Sequence, residues 1–244
     1  MDADYYRVIA RVEDRHWWFV GRRRILSSIL TSLDLPVGVR ILDVGCGPGG
    51  NLAMLADHGT LTAVEMDPYA REQAASRGVC EVADGSLPGQ LPFSPGSFDV
   101  ITALDVIEHI DDDRAALGSI RELLAPRGYL LVTVPAYQFL WSRHDEINQH
   151  RRRYTRSMLR RSLRAAGYDI VRTSYFNTLL FPIIAAARLT GRMRSGPTAG
   201  GDLRPPPPAI NRVLTGLFAS ESGLLRHADL PFGVSLLAVA RVGR

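Results

Sequence analysis

Apolar and polar positions follow two alternating rhythms along this chain. Short apolar runs typical of buried strands lie at 39–44, 60–65, 79–82, 98–104, 129–134, 168–176 and 234–242. The segments between most of these runs carry apolar residues at helical spacing. Because strand and helix alternate in this way, the sequence predicts a doubly wound α/β domain built on a mainly parallel sheet.

A glycine-rich turn follows the first predicted strand directly. Residues 43–50 read Asp-Val-Gly-Cys-Gly-Pro-Gly-Gly, and a helix is predicted from about 50 to 58. Glycine suits a tight turn to which a ligand approaches closely. The spacing fits a dinucleotide fingerprint as well as a nucleoside-binding turn, so alone it is a weak signal. Asp43 favours a ligand carrying an ammonium and a sulfonium over a pyrophosphate.

Acidic residues follow the next two predicted strands. Glu65 ends the second strand, twenty residues after Gly45, where a carboxylate accepts hydrogen bonds from ribose hydroxyls. This position is shared by NAD and S-adenosylmethionine (SAM) sites and does not separate them. Asp84 follows the third strand. Asp67 is the expected N-cap of a helix beginning at Pro68.

Two further motifs complete a family pattern. Residues 91–100 read Leu-Pro-Phe-Ser-Pro-Gly-Ser-Phe-Asp-Val, and residues 105–109 read Asp-Val-Ile-Glu-His. With the glycine turn and the two acidic positions, they resemble the class I SAM-dependent methyltransferases over residues 36–135. The resemblance implies a Rossmann-like, seven-stranded sheet of order 3-2-1-4-5-7-6. Its last strand, at 234–242, would be antiparallel.

The same resemblance implies SAM as the cofactor. It assigns the glycine backbone and Asp43 to the methionine end, Glu65 to the ribose and Asp84 to the adenine. The predicted cofactor-binding residues are Asp43, Gly45, Cys46, Gly47, Gly49, Asn51, Glu65, Met66, Asp84, Gly85, Leu104 and Asp105.

The acceptor is expected after the fifth strand, where Trp, His, Asp, Arg and Tyr are interleaved. A histidine has a suitable pKa for a general base, and the candidates are His144 and His150, then His109. An arginine could hold a carboxylate acceptor bidentately. The histidines lack a regular metal-ligand spacing, so we expect no metal. The predicted substrate-binding residues are His16, Trp17, Trp18, Tyr137, Trp141, Arg151, Arg153 and Tyr154.

Purely structural roles remain possible for these residues. The two tryptophans could simply pack on the sheet domain, and the polar loop could serve capping and ion pairing. Residues 22–24, three arginines, are expected to be mostly solvated, although one could meet a carboxylate.

The sequence predicts four parts of the chain. We expect an N-terminal helical lid at 1–35, a SAM-binding core at 36–176, a helical insertion at 177–232 and the final core strand at 233–244. A Gly/Pro-rich piece at 191–208 is expected to be a flexible linker. The insertion could wall an apolar acceptor pocket, touch a membrane surface, form a dimer contact or pack in the core.

Composition narrows the classes of function. The 244 residues include 29 basic ones, all arginine, for a net charge of +4, which suits an anionic substrate, a membrane surface or nucleic acid. Motifs of nucleic-acid binders are absent from the sequence. Two cysteines make no disulfide framework. Without a signal-peptide pattern or an apolar run long enough to span a bilayer, we expect a cytoplasmic protein, monomer or homodimer.

The sequence therefore predicts SAM-dependent methylation of a small molecule. Oxygen, as a hydroxyl or carboxylate, is the preferred acceptor atom, in secondary or glycan- and lipid-type metabolism. Carbon or nitrogen acceptors remain alternatives. An NAD(P)-dependent oxidoreductase and a non-catalytic SAM-binding protein are the competing classes. Residues 105–108 differ from the Asn-Pro-Pro-Tyr loop typical of nucleic-acid and protein methylation, which disfavours those substrates.

Overall fold

The computed structural model describes residues 3–89, 91–189 and 204–243. Its centre is a seven-stranded sheet. The strands are β1 (Arg40–Val44), β2 (Thr60–Val64), β3 (Glu81–Ala83), β4 (Phe98–Leu104), β5 (Leu124–Pro135), β6 (Tyr168–Phe176) and β7 (Ser235–Val242). Their order is β3-β2-β1-β4-β5-β7-β6, and β7 runs antiparallel to both of its neighbours. The predicted Rossmann-like topology is confirmed.

Helices cover both faces of this sheet. They are α1 (Ala3–Val12), α2 (Trp17–Thr31), α3 (Leu52–Ala56), α4 (Pro68–Ser76), α5 (Asp113–Leu123), α6 (Arg143–Ile147), α7 (Arg156–Ala165), α8 (Phe181–Leu189) and α9 (Pro208–Leu225). Two short 3₁₀ helices lie at Ile107–His109 and Gln138–Leu140. Asp67 caps α4, as the sequence predicts, by accepting a hydrogen bond from the Ala70 amide at 2.9 Å.

Alternation along the strands divides the core into two layers. Neighbouring side chains of a strand point to opposite faces, so Leu42 and Ile41 of β1 enter different clusters. The layer of Leu42 is closed by α5 and α7, and that of Ile41 by α2, α3 and α9. Helix α2 packs along α9, where a Cβ on Gly21 would meet the Phe218 ring at 2.5 Å. Only glycine permits that close approach.

The starts of two predicted strands were wrong by two or more residues. β3 begins at Glu81 rather than at residue 79, because pairing with β2 starts at Glu81. β5 begins at Leu124 rather than at residue 129, because Leu124 already pairs with Phe98. An irregularity lies within β5 at residues 126–128, where Arg127 has a positive φ of 67° and the register with β4 shifts.

Helix α2, before β1, and helix α9, between β6 and β7, pack together on one face of the sheet. The division into four domains stays a prediction. Most of the linker predicted at 191–208 lies outside the described residues, and Pro208 begins α9. Across the described parts of the chain, none of the helices combines the length and the apolar character needed to cross a membrane.

Candidate active site

A cavity of about 380 Å³ opens at the carboxyl ends of the parallel strands. Its floor is formed by the residues that follow β1, β2, β4 and β5, and helices α1, α2 and α8 supply its walls. This is the edge at which open α/β sheets bind ligands, and the volume is that of a small-molecule pocket. The two ends of the cavity differ in chemistry.

The glycine-turn end consists of Gly45, Gly47, Glu65, Met66 and Gly85, which all line the cavity. Gly45 and Gly47 have positive φ angles of 69° and 57°. A Cβ on Gly45 would meet a methyl of Val106 at 2.8 Å. Both the backbone conformation and the available space therefore require glycine at position 45.

Glu65 fastens this turn to the next strand. One carboxylate oxygen accepts a hydrogen bond from the Gly47 amide at 2.8 Å, and the other accepts one from the Asp67 amide at 2.9 Å. Burial raises the pKa of Glu65 against the opposing effect of these bonds. Each carboxylate oxygen has more than one acceptor site, so the group retains capacity for ligand hydroxyls.

Asp43 lies beneath the turn and does not itself line the cavity. One carboxylate oxygen accepts a hydrogen bond from Thr102, while the other has no partner among the described residues. Burial raises the pKa of Asp43 to about 7, against the opposing hydrogen bond of Thr102. The second oxygen is thus a buried acceptor for which the described residues supply no donor.

The other predicted cofactor residues divide between the cavity and its surroundings. Asp84 is exposed, forms an ion pair with Arg71 at 2.9 Å, and borders a neighbouring surface depression shared with Met66 and Gly85. The following four also line the cavity: Cys46, Asn51, Leu104 and Asp105. Gly49 has a positive φ of 91° and packs against α4.

Arg22 connects the N-terminal helices to the end of β4. Its guanidinium forms an ion pair with Asp105 and lies 4.6 Å from the Trp18 ring centroid. Asp105 also accepts a hydrogen bond from the Thr133 hydroxyl at 3.1 Å. Within the described residues, Arg22 is therefore the one arginine of the run at 22–24 that meets a carboxylate, an alternative that the sequence left open, and it is buried in the cavity wall.

The aromatic residues at the start of α2 form one wall of the cavity. Trp17 packs edge-on against Phe218 with the ring centroids 5.8 Å apart, and its amide donates to the Asn211 side chain at 2.9 Å. His16 caps α2 by accepting a hydrogen bond from the Trp18 amide at 3.3 Å. Burial lowers the pKa of His16 to about 4. These residues therefore combine packing on α9 with contact to the cavity.

The histidine end consists of Glu108, His109, His144 and His150, which line the cavity where the chain leaves β4 and β5. The ring centroids of His109 and His150 are 4.7 Å apart, and those of His144 and His150 are 6.2 Å apart. Loss of hydration lowers the pKa of His109 and of His144 to about 3. Both rings are consequently neutral at pH 7.

The buried carboxylate of Asp145 orients the His150 ring. It accepts a hydrogen bond from His150 Nδ1 at 2.8 Å and one from Arg153 Nε at 2.7 Å. Burial opposes ionisation, but the hydrogen bond of His150 and the charge of Arg153 outweigh it and hold the pKa of Asp145 below its usual range. Arg153 also donates to the carbonyl of Ala136 at 3.0 Å. This network fixes the His150 ring.

Four predicted substrate-binding residues lie outside the cavity lining. Tyr154 is buried in the core, and its hydroxyl donates to Asp113 at 2.8 Å. Arg151 is exposed beside Asp111, and Tyr137 stacks on Tyr175 with the centroids 5.0 Å apart. Trp141 is half-buried and likewise absent from the lining.

Sequence reasoning missed several lining residues. Tyr6 and Glu13 reach the cavity from α1 and its end, and Arg188 reaches it from α8. Burial raises the pKa of Glu13 to about 7, although Arg77 pairs with it. No local motif marks these positions. Glu108 does have a signal, because it lies within the motif at 105–109 that ends β4.

A family model described as a methyltransferase domain matches residues 17–173 of the chain. The mitochondrial ubiquinone biosynthesis O-methyltransferase of Schizosaccharomyces pombe is 32% identical over 154 residues, which is 54% of this chain and 54% of that protein. The O-methyltransferase resE of Aspergillus sclerotiorum is 31% identical over 121 residues, 46% of each chain. The chain thus spans about half the length of the curated relatives that it matches.

Solved structures share the fold. The phosphoethanolamine N-methyltransferase 2 of Haemonchus contortus, solved in complex with S-adenosyl-L-methionine, superposes with a TM-score of 0.58 at 19% identity. The alignment covers 90% of this chain and 52% of that one. At this identity the likeness concerns the fold.

Proposed function

The chain belongs to the methyltransferase domain family, in the class I group that uses SAM, and on this basis we propose that it transfers a methyl group from SAM to an oxygen of a small-molecule acceptor. The observation that carries the proposal is one cavity lined both by the glycine turn with Glu65 and by a histidine cluster. A nucleoside cofactor and an acceptor fit these two ends respectively.

The glycine-turn end suits the nucleoside and amino-acid parts of SAM. Gly45 and Gly47 allow a ligand to approach their backbone, and Glu65 presents acceptors for the vicinal hydroxyls of a ribose. The carboxylate of Asp43, buried beneath the turn, suits the positive charge of the ammonium group. When bound, SAM supplies a methyl group already activated by its sulfonium.

The protein's own contribution is positioning. Alignment of two reactants can lower a barrier by about 7–11 kcal/mol. The aromatic wall of Trp17 and Trp18 would exclude water from the acceptor, and the Arg22–Asp105 pair would hold this wall against β4. We propose that this wall is a lid over bound ligands.

An oxygen acceptor is supported by two observations. The curated relatives named above are O-methyltransferases. A hydroxyl also has to lose its proton, and three histidines of the chain meet at the end of the cavity where the acceptor would lie. We assign proton removal to the histidine cluster as a whole. A carboxylate acceptor needs no base, and Arg188 in the cavity wall could pair with it.

Calorimetric titration with S-adenosylhomocysteine, with NADH in parallel, tests the cofactor assignment. We expect micromolar binding of S-adenosylhomocysteine and none of NADH. Glu65→Gln should weaken binding about 10- to 100-fold, because it removes hydrogen bonds to a charged group worth about 1.5–3 kcal/mol. The matched control is Glu72→Gln, an exposed position on α4, which should bind like the wild type.

Binding of NADH instead would overturn the proposal. Once binding of S-adenosylhomocysteine is established, its formation from SAM should be measured in the presence of phenols, alcohols and carboxylic acids as candidate acceptors. Turnover with amines alone would contradict the choice of oxygen and leave SAM as the cofactor.

A further inference from the structure

We propose that Glu108, His109 and His150 hold a divalent transition-metal ion at the histidine end of the cavity. One potential ligand atom from each residue lies within 4.8 Å of the others. All three residues line the cavity, so a bound ion would face the acceptor. The inference departs from the expectation of a metal-free site, which rested on sequence spacing; the fold brings together residues that the chain separates.

Glu108 gives the first independent indication of a cation. Its side chain is fully buried, and neither carboxylate oxygen accepts a hydrogen bond from any other described residue. Buried carboxylates are otherwise paired or hydrogen-bonded. The nearby guanidinium groups are already engaged, since Arg22 pairs with Asp105 and Arg153 pairs with Asp145. A metal ion between Glu108 and the histidines would supply the missing partner.

His150 gives the second indication. Its Nδ1 lies 2.8 Å from an oxygen of Asp145, which accepts the Nδ1 proton. The lone pair is then on Nε2, the atom left to bind a metal. Asp145 is itself fixed by Arg153 and by the Ser142 amide at 2.8 Å. A carboxylate behind a histidine is the usual support of a metal-bound imidazole.

The donor set indicates the kind of ion. Two imidazole nitrogens and one carboxylate oxygen suit Zn²⁺, Fe²⁺, Co²⁺ or Mn²⁺, whereas Mg²⁺ and Ca²⁺ prefer oxygen donors. Three protein ligands leave coordination positions open, as in catalytic rather than structural sites. An acceptor hydroxyl could occupy one of them.

The role of the ion rests on the proposed methyl transfer. A hydroxyl bound to a divalent ion loses its proton more readily, as metal-bound water does. The proton would pass to His144 or to solvent. The resulting oxygen anion forms a bond to the methyl carbon, the carbon–sulfur bond breaks, and the electron pair stays on sulfur as neutral S-adenosylhomocysteine leaves.

The test uses full-length protein without a histidine tag, freed of metal by chelation. Equilibrium dialysis against Zn²⁺, Co²⁺, Mn²⁺ or Mg²⁺ should give one transition-metal ion per chain and much weaker binding of Mg²⁺. Glu108→Gln and His150→Ala should each weaken binding at least tenfold. His227→Ala, an exposed histidine outside the cavity lining, is the matched control and should bind like the wild type.

The visible absorption of bound Co²⁺ reports the ligands directly. It should change in His109→Ala and in His150→Ala. Asp145→Asn, which alters a positioning residue, should weaken binding of the ion by about 10- to 100-fold. Metal binding that is unaffected by all of these substitutions, or no binding to the wild type at micromolar ion, would overturn the site.

S-adenosylhomocysteine binding measured on the same samples separates the two proposals. Retained nucleoside binding in folded variants that have lost the metal supports the site. Nucleoside binding without any metal binding by the wild type overturns the metal site alone. Metal binding without nucleoside binding overturns the methyl-transfer proposal alone.

Discussion

The glycine-turn end and the histidine end of the cavity are built in different ways. The first is mostly backbone on the strands of the sheet, shaped by Gly45 and Gly47 and fastened by Glu65 through two amide hydrogen bonds. The second is made of side chains from the 3₁₀ helix after β4 and from the segment after β5. Its order comes from charged side chains such as Asp145 and Arg153.

This difference indicates how each end should respond to change. A backbone site tolerates no side chain at its glycines, whatever the chemistry of that side chain. A side-chain site depends on chemistry and can lose function while the fold persists. The glycine-turn end should therefore fail by steric disruption, and the histidine end by substitution of individual donors.

The largest effect is expected from Gly45→Ala. A non-glycine residue at a φ of 69° costs about 1–2 kcal/mol, and overpacking against Val106 costs about 1–3 kcal/mol more. The turn must shift to relieve the contact, so binding of S-adenosylhomocysteine should fall at least a hundredfold. Calorimetry measures the binding of S-adenosylhomocysteine, and urea unfolding measures the loss of stability.

Gly118→Ala is the matched control for that substitution. Gly118 lies within α5, and a Cβ there would meet nothing within 4 Å. The alanine should stabilise the protein by about 0.5–1 kcal/mol through helix propensity and leave binding unchanged. Equal losses in both variants would refute the steric account of the turn.

A pH-dependent effect is expected from Asp43→Asn, beneath the same turn. Burial raises the folded-state pKa of Asp43 to about 7, above its unfolded value near 4. Between these two values the Asp43 carboxyl is protonated in the folded state and ionised in the unfolded state. The free energy of unfolding therefore falls as the pH rises from 4 to 7. The asparagine should therefore gain about 2–4 kcal/mol relative to the wild type over that range.

Chemical unfolding at pH 4.5 and pH 8 measures this gain. Asp99→Asn is the comparison, because an exposed ion pair with Arg40 lowers rather than raises the pKa of Asp99. If the stability difference between Asp43→Asn and the wild type stays constant with pH, the pKa of Asp43 is not raised by folding.

The smallest effect is expected from Tyr154→Phe, near the histidine end. The substitution removes a buried hydrogen bond to Asp113 and should cost about 1–2 kcal/mol of stability. Because Tyr154 lies in the core outside the cavity, product binding and the KM for any acceptor should not change. A raised KM with unchanged stability would instead support its predicted role in substrate binding.

Most of the fold could be predicted from the sequence because its signals are local. Apolar runs gave the strands, and the sheet order followed from the family resemblance. The cap at Asp67 and the bounds of β4 and β6 are as expected. The glycine turn was recognisable for the same reason, since contiguous residues build it.

The histidine end could be predicted only in part because distant segments assemble it. His109 and His150 are 41 residues apart in the chain, yet their ring centroids lie 4.7 Å apart. Arg22 and Tyr154 carry the same kinds of groups as true lining residues, and sequence could not tell that one meets Asp105 in the cavity while the other meets Asp113 in the core. Burial and pairing decide these roles.

The position of β7 has a consequence for synthesis on the ribosome. β7 separates β5 from β6 in the sheet but follows both in the chain. Until residues 235–242 emerge, β6 has no neighbouring strand and β5 keeps an open edge. At about 5–20 residues per second, these edges wait several seconds. Unpaired edges invite association with other chains, so nascent chains of this protein should depend on shielding until the last strand arrives.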